Sequence, residues 1–219
     1  MASYLYGLVL DHNAHLVPAH ITGLGSTVLR VVECKGLGAL VSTLERAPAR
    51  NLDDVRAHDH ALQSVVHHGA TAAAVRFGQT FASDDDVRTH VAERGERIAR
   101  VLQDCDGCVE MRLLLAHVPN EHQAKLAPDR ELGPGRAYLE GLRGSTERLK
   151  SLGLHEAFGS VVRAERLEEL PKNRGVVFSH LIRRTDEVEY REAVSSFPAL
   201  AEARIVGPLA LYSFAEPAE

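Results

Sequence analysis

No basic tract occurs anywhere in this 219-residue sequence. Its 25 lysines and arginines are outnumbered by 30 acids, the net charge is −5, and cationic neighbours come only as short pairs such as Arg183-Arg184. An electrostatic grip on nucleic acid or anionic lipid is therefore not expected. Cysteine is scarce: Cys34, Cys105 and Cys108 are few and odd in number, which suits a reducing compartment better than a disulfide framework. No apolar run approaches the roughly 20 residues that cross a bilayer. The opening MASYLYGLVLDHN lacks a basic leader and soon meets Asp11. A cytoplasmic protein with neither a membrane nor a nucleic-acid partner is the expectation. What the chain does have is apolar content, 45% of residues, enough for one large core or two small ones.

The pattern predicts an α+β fold. Tyr4 to Leu10 reads as a strand. Val28 to Val32 and Leu37 to Val41 read as a hairpin around Glu-Cys-Lys-Gly. Asn51 caps a helix that keeps helical spacing through Leu62, Val65 and Val66 to Gly69, and Thr71 to Val75 is a short strand. Ser83 and Asp86 open a second helix that runs to Asp106-Gly107, and Cys108 to His117 is the next strand. Residues 1–118 thus form an N-terminal domain, a sheet with helices on one face related to split βαβ (ferredoxin-like) folds. Pro119 to Gly135 is polar with three prolines and reads as a linker. Residues 136–219 read as a helix-rich C-terminal α+β domain, helical to about Leu170. A strand from Gly175 to Ile182, a helix capped by Thr185 and a last strand from Ile205 to Phe214 complete it.

Candidate chemistry is thin. His58, His60, His67 and His68 share a helix, but no pair has the i, i+3 or i, i+4 spacing of two ligands on one face, so solvated or capping histidines are expected. Cys105-Asp-Gly-Cys108 closes a helix and opens a strand, the wrong end for a dipole-activated thiolate. Gly23-Leu-Gly25 and Gly36-Leu-Gly38 precede no helix that could cradle phosphate. No Gly-x-Ser-x-Gly elbow exists. Glu168-Glu169 and Asp84-Asp85-Asp86 read as solvated helix faces and first-turn acids. Neither a catalytic residue nor a cofactor or metal site is expected.

One stretch, Val75-Arg-Phe-Gly-Gln-Thr-Phe81, stands between two helices and belongs to an ordered set. YLYG near the start, GLGALVS in the hairpin, VRFGQTF, CVEMRL, GPGRAYLE and GPLALYSF follow one another along the chain. Together they resemble the gas vesicle accessory family GvpF/GvpL over about residues 4–214. Where that family usually has a proline before Arg-Phe-Gly, this chain has Ala73-Ala74-Val75. The family's usual Gly-Pro-Trp-Pro-Pro-Tyr-Ser-Phe ending is here Gly207-Pro208-Leu-Ala-Leu-Tyr-Ser-Phe214, without the indole.

Seven of the eleven aromatic residues fall in these motifs: Tyr4, Tyr6, Phe77, Phe81, Tyr138, Tyr212 and Phe214. They are expected to hold aromatic packing, with Gly78 permitting a turn and Arg76 making a structural hydrogen bond or ion pair. In a functional alternative, Arg76 and the aromatics bind a partner peptide. The resemblance implies a non-enzymatic accessory protein that associates with the gas vesicle. It would assist shell assembly by binding the small hydrophobic shell protein and other accessory proteins. A purely structural shell component is a variant of that reading. The rival from another class is an enzyme or small-ligand domain using an interdomain cleft with Arg76, His117 or Tyr138.

Overall fold

The computed structural model describes residues 1–49, 51–116, 158–171, 175–197, 200 and 203–215. The expected linker, the helix after Gly135, His117 and Tyr138 lie outside the described residues. The chain forms two compact units. One comprises Met1–Met111, Leu181–Arg184 and Val206–Glu219, the other Arg112–His180 and Thr185–Ile205.

The first unit is organised around β1 (Ala2–Leu10), whose residues from Ser3 onward are all buried. It is also paired along both edges. One edge carries β3 (Leu37–Leu44), which in turn pairs with β2 (Arg30–Cys34), all antiparallel. The hairpin turn is only Lys35-Gly36, both at positive φ (38° and 87°), the backbone of a two-residue turn whose twist matches the strands. Glu33 and Cys34, expected in that turn, belong to β2. The other edge of β1 carries β4 (Ala72–Ala74) and β5 (Thr80–Phe81), completing five strands in the order β2-β3-β1-β4 with β5 beside β1. The β1–β3 register slips between Leu5 and Gly7, and a Cβ on Gly7 would lie 2.6 Å from the Ala73 carbonyl oxygen. Glycine there lets the two backbones approach.

Two helices pack on β1. In α1 (Leu52–His67), Asn51 accepts from the Asp54 N–H, Asp53 and Asp54 sit in the first turn, and Ala61, Leu62, Val65 and Val66 are buried. In α2 (Asp84–Asp104), the Ser83 hydroxyl accepts from the Asp86 N–H and donates to the Asp86 carboxylate, and Val87, Val91 and Leu102 face inward.

A second sheet has, among the described residues, four strands in the order β7-β8-β6-β9. They are β6 (Cys108–Ala116), β7 (Val162–Glu169), β8 (Gly175–Arg183) and β9 (Arg204–Leu209). Central β8 is buried from Gly175 to Ile182, whereas edge strand β7 is exposed along most of its length. The α+β class is as expected, but Val162–Glu169, within the stretch expected to be helical, is a strand. Its Ala, Glu, Arg and Leu favour helix locally, and pairing along β8 outweighs that preference. Glu168 and Glu169 accordingly stand on a strand. Thr185 does not cap α3 (Glu187–Ser196): its hydroxyl bonds Asp186, the N-cap residue, which makes no side-chain cap itself. The final strand stops at Leu209, and Ala210 to Ala215 continue without regular pairing beyond one bridge.

Candidate functional site

The first motif tyrosines, Tyr4 and Tyr6, are alternate residues of β1 and completely buried, their rings 4.7 Å apart edge to face. His58 of α1 lies against both, stacked on Tyr6 at 5.4 Å and edge-on to Tyr4 at 5.7 Å. Each hydroxyl is satisfied. Tyr6 Oη accepts the Leu24 N–H at 2.8 Å and meets Ser42 Oγ at 2.9 Å. Gly23 makes room for that ring, since a Cβ there would stand 2.0 Å from the Tyr6 oxygen. Tyr4 Oη accepts the Gly78 N–H at 3.1 Å and meets His58 Nδ1 at 2.8 Å. With the Tyr4 oxygen accepting from Gly78, its own proton points to Nδ1. The imidazole is thereby held as the Nε2–H tautomer. Burial pulls the His58 pKa down to about 4 and raises both tyrosines. Nε2 is buried with no well-formed hydrogen bond; the Val75 backbone makes at most a weak one. His58 is therefore a core histidine, not the solvated or capping one expected. His67 and His68 do cap, their Nδ1 atoms reaching the Gln63 and Ser64 carbonyls four residues back.

VRFGQTF is an interrupted strand along β1. Val75 N–H donates to Tyr6 O and Leu5 N–H to Gln79 O, so the ladder resumes on either side of a three-residue bulge, Arg76 to Gly78. Gly78, at φ 97°, turns the bulge so that its N–H reaches Tyr4. Phe77 is half-buried with its ring 6.1 Å from Tyr4 and 5.7 Å from His58, while Phe81 sits 4.9 Å from His90 of α2. Arg76 departs from expectation. It is exposed and makes no hydrogen bond or ion pair with a described residue, because the bulge turns it away from the aromatic cluster.

The last motif closes on the same unit. Gly207 has φ 140°, is followed by Pro208 through a cis peptide, and packs so closely that a Cβ would lie 2.7 Å from Met111 Sδ. Leu211 bridges Ala73 in parallel, Tyr212 Oη donates to Asp59 Oδ1 at 2.7 Å, and Phe214 is half-buried. Ser213 donates its N–H and its hydroxyl to the two Glu110 oxygens, at 2.7 and 2.9 Å. Glu110 is fully buried and was not singled out in the sequence. Its signal was available: a lone acid inside CVEMRLLL must have a partner if that strand is buried. Also missed was a bidentate ion pair from Arg30 to Asp84 at 2.7 and 2.8 Å, joined by Ser3 at 2.6 Å. Arg30 and Ser3 hold the Asp84 carboxyl below its usual range, so Asp84 is more than a first-turn acid.

The second unit has its own buried histidine. His180 meets Tyr190 Oη at 2.8 Å through Nδ1 and Glu165 at 3.0 Å through Nε2, with Phe158 packed on both rings. Burial lowers the His180 pKa against the pull of Glu165. No group of three or more metal-ligating side chains occurs among the described residues. An open groove of about 780 Å³ lies beside Met1, Leu24, Leu44, Pro48 and the start of α1. No described helix is long and apolar enough to cross a membrane.

The family model for gas vesicle synthesis protein GvpL/GvpF matches residues 2–216. The chain belongs to the GvpL/GvpF family. Gas vesicle protein F1 of Halobacterium salinarum is 28% identical over 111 residues, 49% of this chain, and the match spans about half (51%) of that relative's length. Two solved GvpF structures share the fold. That from Microcystis aeruginosa has a TM-score of 0.76 at 14% identity, covering 98% of this chain and 99% of its own. That from Anabaena sp. PCC7120 has the same TM-score at 18% identity, covering 100% of this chain and 97% of its own. Within this GvpL/GvpF chain, the YLYG, VRFGQTF and C-terminal motifs converge on β1 and its neighbours. Tyr138, in GPGRAYLE, lies outside the described residues.

Proposed function

We propose that this GvpL/GvpF protein is a non-enzymatic assembly factor, acting at the gas vesicle in the cytoplasm by binding the small hydrophobic shell protein and other accessory proteins. The observation that carries the reading is the family match over residues 2–216. The chemistry of the motifs supports it. Among the described motif residues, polar groups make internal bonds, Tyr4 to His58, Tyr6 to Ser42, Tyr212 to Asp59 and Ser213 to Glu110, while Arg76 is exposed. A shell subunit with an apolar gas-facing surface aggregates unless it is escorted or placed on a nucleus, and an α+β protein can do either.

The test is co-expression with the shell protein and pull-down of the complex. Val28→Asp and Leu52→Asp serve as surface variants, these side chains being 55% and 61% exposed. Retention with increased shell-protein solubility, reduced by either variant, supports the reading. A folded, monodisperse protein that retains no shell protein and no other accessory protein overturns it.

A further inference from the structure

The turn that joins α2 to β6 places two thiols together. Cys108 N–H donates to the Cys105 carbonyl at 2.8 Å, and Gly107, at φ 71°, takes the left-handed position between them. Residues at the two ends of such a turn have Cα atoms within about 7 Å, and a disulfide spans roughly 4.4–6.8 Å. The thiols also lie on one side of it. Cys105 and Cys108 are buried whereas Asp106 and Gly107 are exposed, so both cysteine side chains enter the interior from the same turn. Cys108 Sγ leans back over it, 3.9 Å from the Asp106 carbonyl oxygen. Neighbouring elements hold the turn in that shape: Asn13 Nδ2 donates to Asp106 Oδ1 at 2.9 Å, Arg184 N–H donates to the Gly107 carbonyl at 2.9 Å, and His12 Nε2 lies 3.2 Å from Asp106 Oδ2. Two thiols on a turn already fixed meet at the high effective concentration of a preset geometry.

We propose that Cys105 and Cys108, reduced in this structure, close reversibly into a disulfide when the protein meets a hydroperoxide. Such an oxidant is small and uncharged, and Cys105, 7% exposed against 1% for Cys108, is the sulfur it reaches first. The Cys105 thiolate attacks one peroxide oxygen, the O–O bond breaks, hydroxide leaves and the sulfur becomes a sulfenic acid. Cys108 sulfur then attacks it, so that the S–S bond forms, the S–O bond breaks and water leaves. Two thiols and one hydrogen peroxide thus give one disulfide and two waters, and a thiol reductant reverses the change. At the C-terminal end of α2, Cys105 gains no help from the helix dipole as a thiolate, so the pair registers oxidant slowly instead of turning it over. Cys34 is the internal control. It is also buried, but its thiol donates to the Val32 carbonyl, and Arg88, whose charge it feels, stands roughly 25 Å along the helix axis from Cys105. This inference does not depend on binding of the shell protein.

The test treats the reduced full-length protein with hydrogen peroxide at neutral pH, at a level that oxidises free cysteine in solution. The protein is then unfolded in iodoacetamide and its three cysteines are mapped by mass spectrometry. The expected result is that Cys105 and Cys108 are joined, lighter by two hydrogens and unalkylated, while Cys34 is alkylated in full. Adding dithiothreitol before the alkylation should return all three as alkylated thiols. Cys108→Ser removes the second thiol, and Cys105 should then be recovered as sulfinic acid, one step further up the oxidation ladder. Three outcomes overturn the proposal: Cys105 and Cys108 both alkylated after peroxide, a disulfide that engages Cys34 or a second chain, and a Cys105 that stays a thiol in the folded Cys108→Ser protein. The first two are read on the unaltered protein, so they stand whether or not the variant folds.

Discussion

The Tyr4 hydroxyl and His58 Nδ1 meet at 2.8 Å inside the first unit, and the Gly78 amide donates to the same tyrosine oxygen at 3.1 Å. A strand, a helix and the bulge of VRFGQTF are thereby joined through one atom. Tyr4→Phe keeps the ring but strands the Gly78 N–H and the imidazole nitrogen. It should cost about 1–3 kcal/mol in denaturant unfolding, and the loss should shrink when His58→Leu is already present.

The same histidine makes stability depend on pH. Its folded pKa, about 4, lies below its ordinary 6.5, so between those values the unfolded chain binds the extra proton. The contribution is therefore fully present above about pH 6.5, falls as the pH drops toward about 4, and is flat below. The full span is on the order of 3 kcal/mol. His180 is shifted the same way, so the difference in pH slope between the protein and His58→Gln isolates the first site. Equal slopes between pH 4 and 6.5 would show that burial does not hold His58 neutral.

Gly78 has φ 97° and nothing within 4 Å of where a Cβ would stand. Gly78→Ala consequently tests backbone strain alone, with an expected loss of about 1–2 kcal/mol. Gly78→Asn should lose less, since asparagine tolerates the left-handed region better. A larger loss for asparagine than for alanine would point to a packing role instead.

Arg76→Ala should leave unfolding midpoints unchanged to within about 0.5 kcal/mol, because the exposed side chain bonds no described residue. That makes it the cleanest probe of a partner contact in the motif. A fall in retention of shell or accessory protein at unchanged stability assigns the arginine to recognition, whereas unchanged retention confines the motif to folding.

The bidentate Arg30–Asp84 pair is about one-third exposed on both sides (38% and 31%), so solvent screening limits its worth. Asp84→Asn should cost at most about 1 kcal/mol at neutral pH, and less in high salt. The Asp84 pKa is depressed, so this contribution is lost as pH falls through that lowered value, separating it from the His58 effect above. A loss that persists unchanged in high salt would count against an ion pair.

The sequence made β1, the hairpin, α1 and α2 readable because caps and periodicity agree there: Asn51 and Ser83 begin helices whose apolar residues then keep near-helical spacing. It misled at Val162–Glu169, where helix-favouring residues pair along β8 and only the long-range partner decides. The candidate site was half legible. Motif order pointed to Tyr4, Tyr6, Phe77 and the C-terminal segment, but Asp59, Glu110 and Arg30 act on residues about 54 to 153 positions away, beyond any local pattern. His58 escaped for a related reason. Its depth depends on two tyrosines of another element, and one histidine among four on the same helix gives no sign of that.

The charged edge of β7 has a consequence for self-association. Two copies pairing edge to edge in an antiparallel, two-fold arrangement must place one residue opposite itself at the centre. Along Val162–Glu169 that residue is Arg163, Glu165, Arg166, Glu168 or Glu169 in most registers, each meeting its own charge. The strand is thus built to repel its twin.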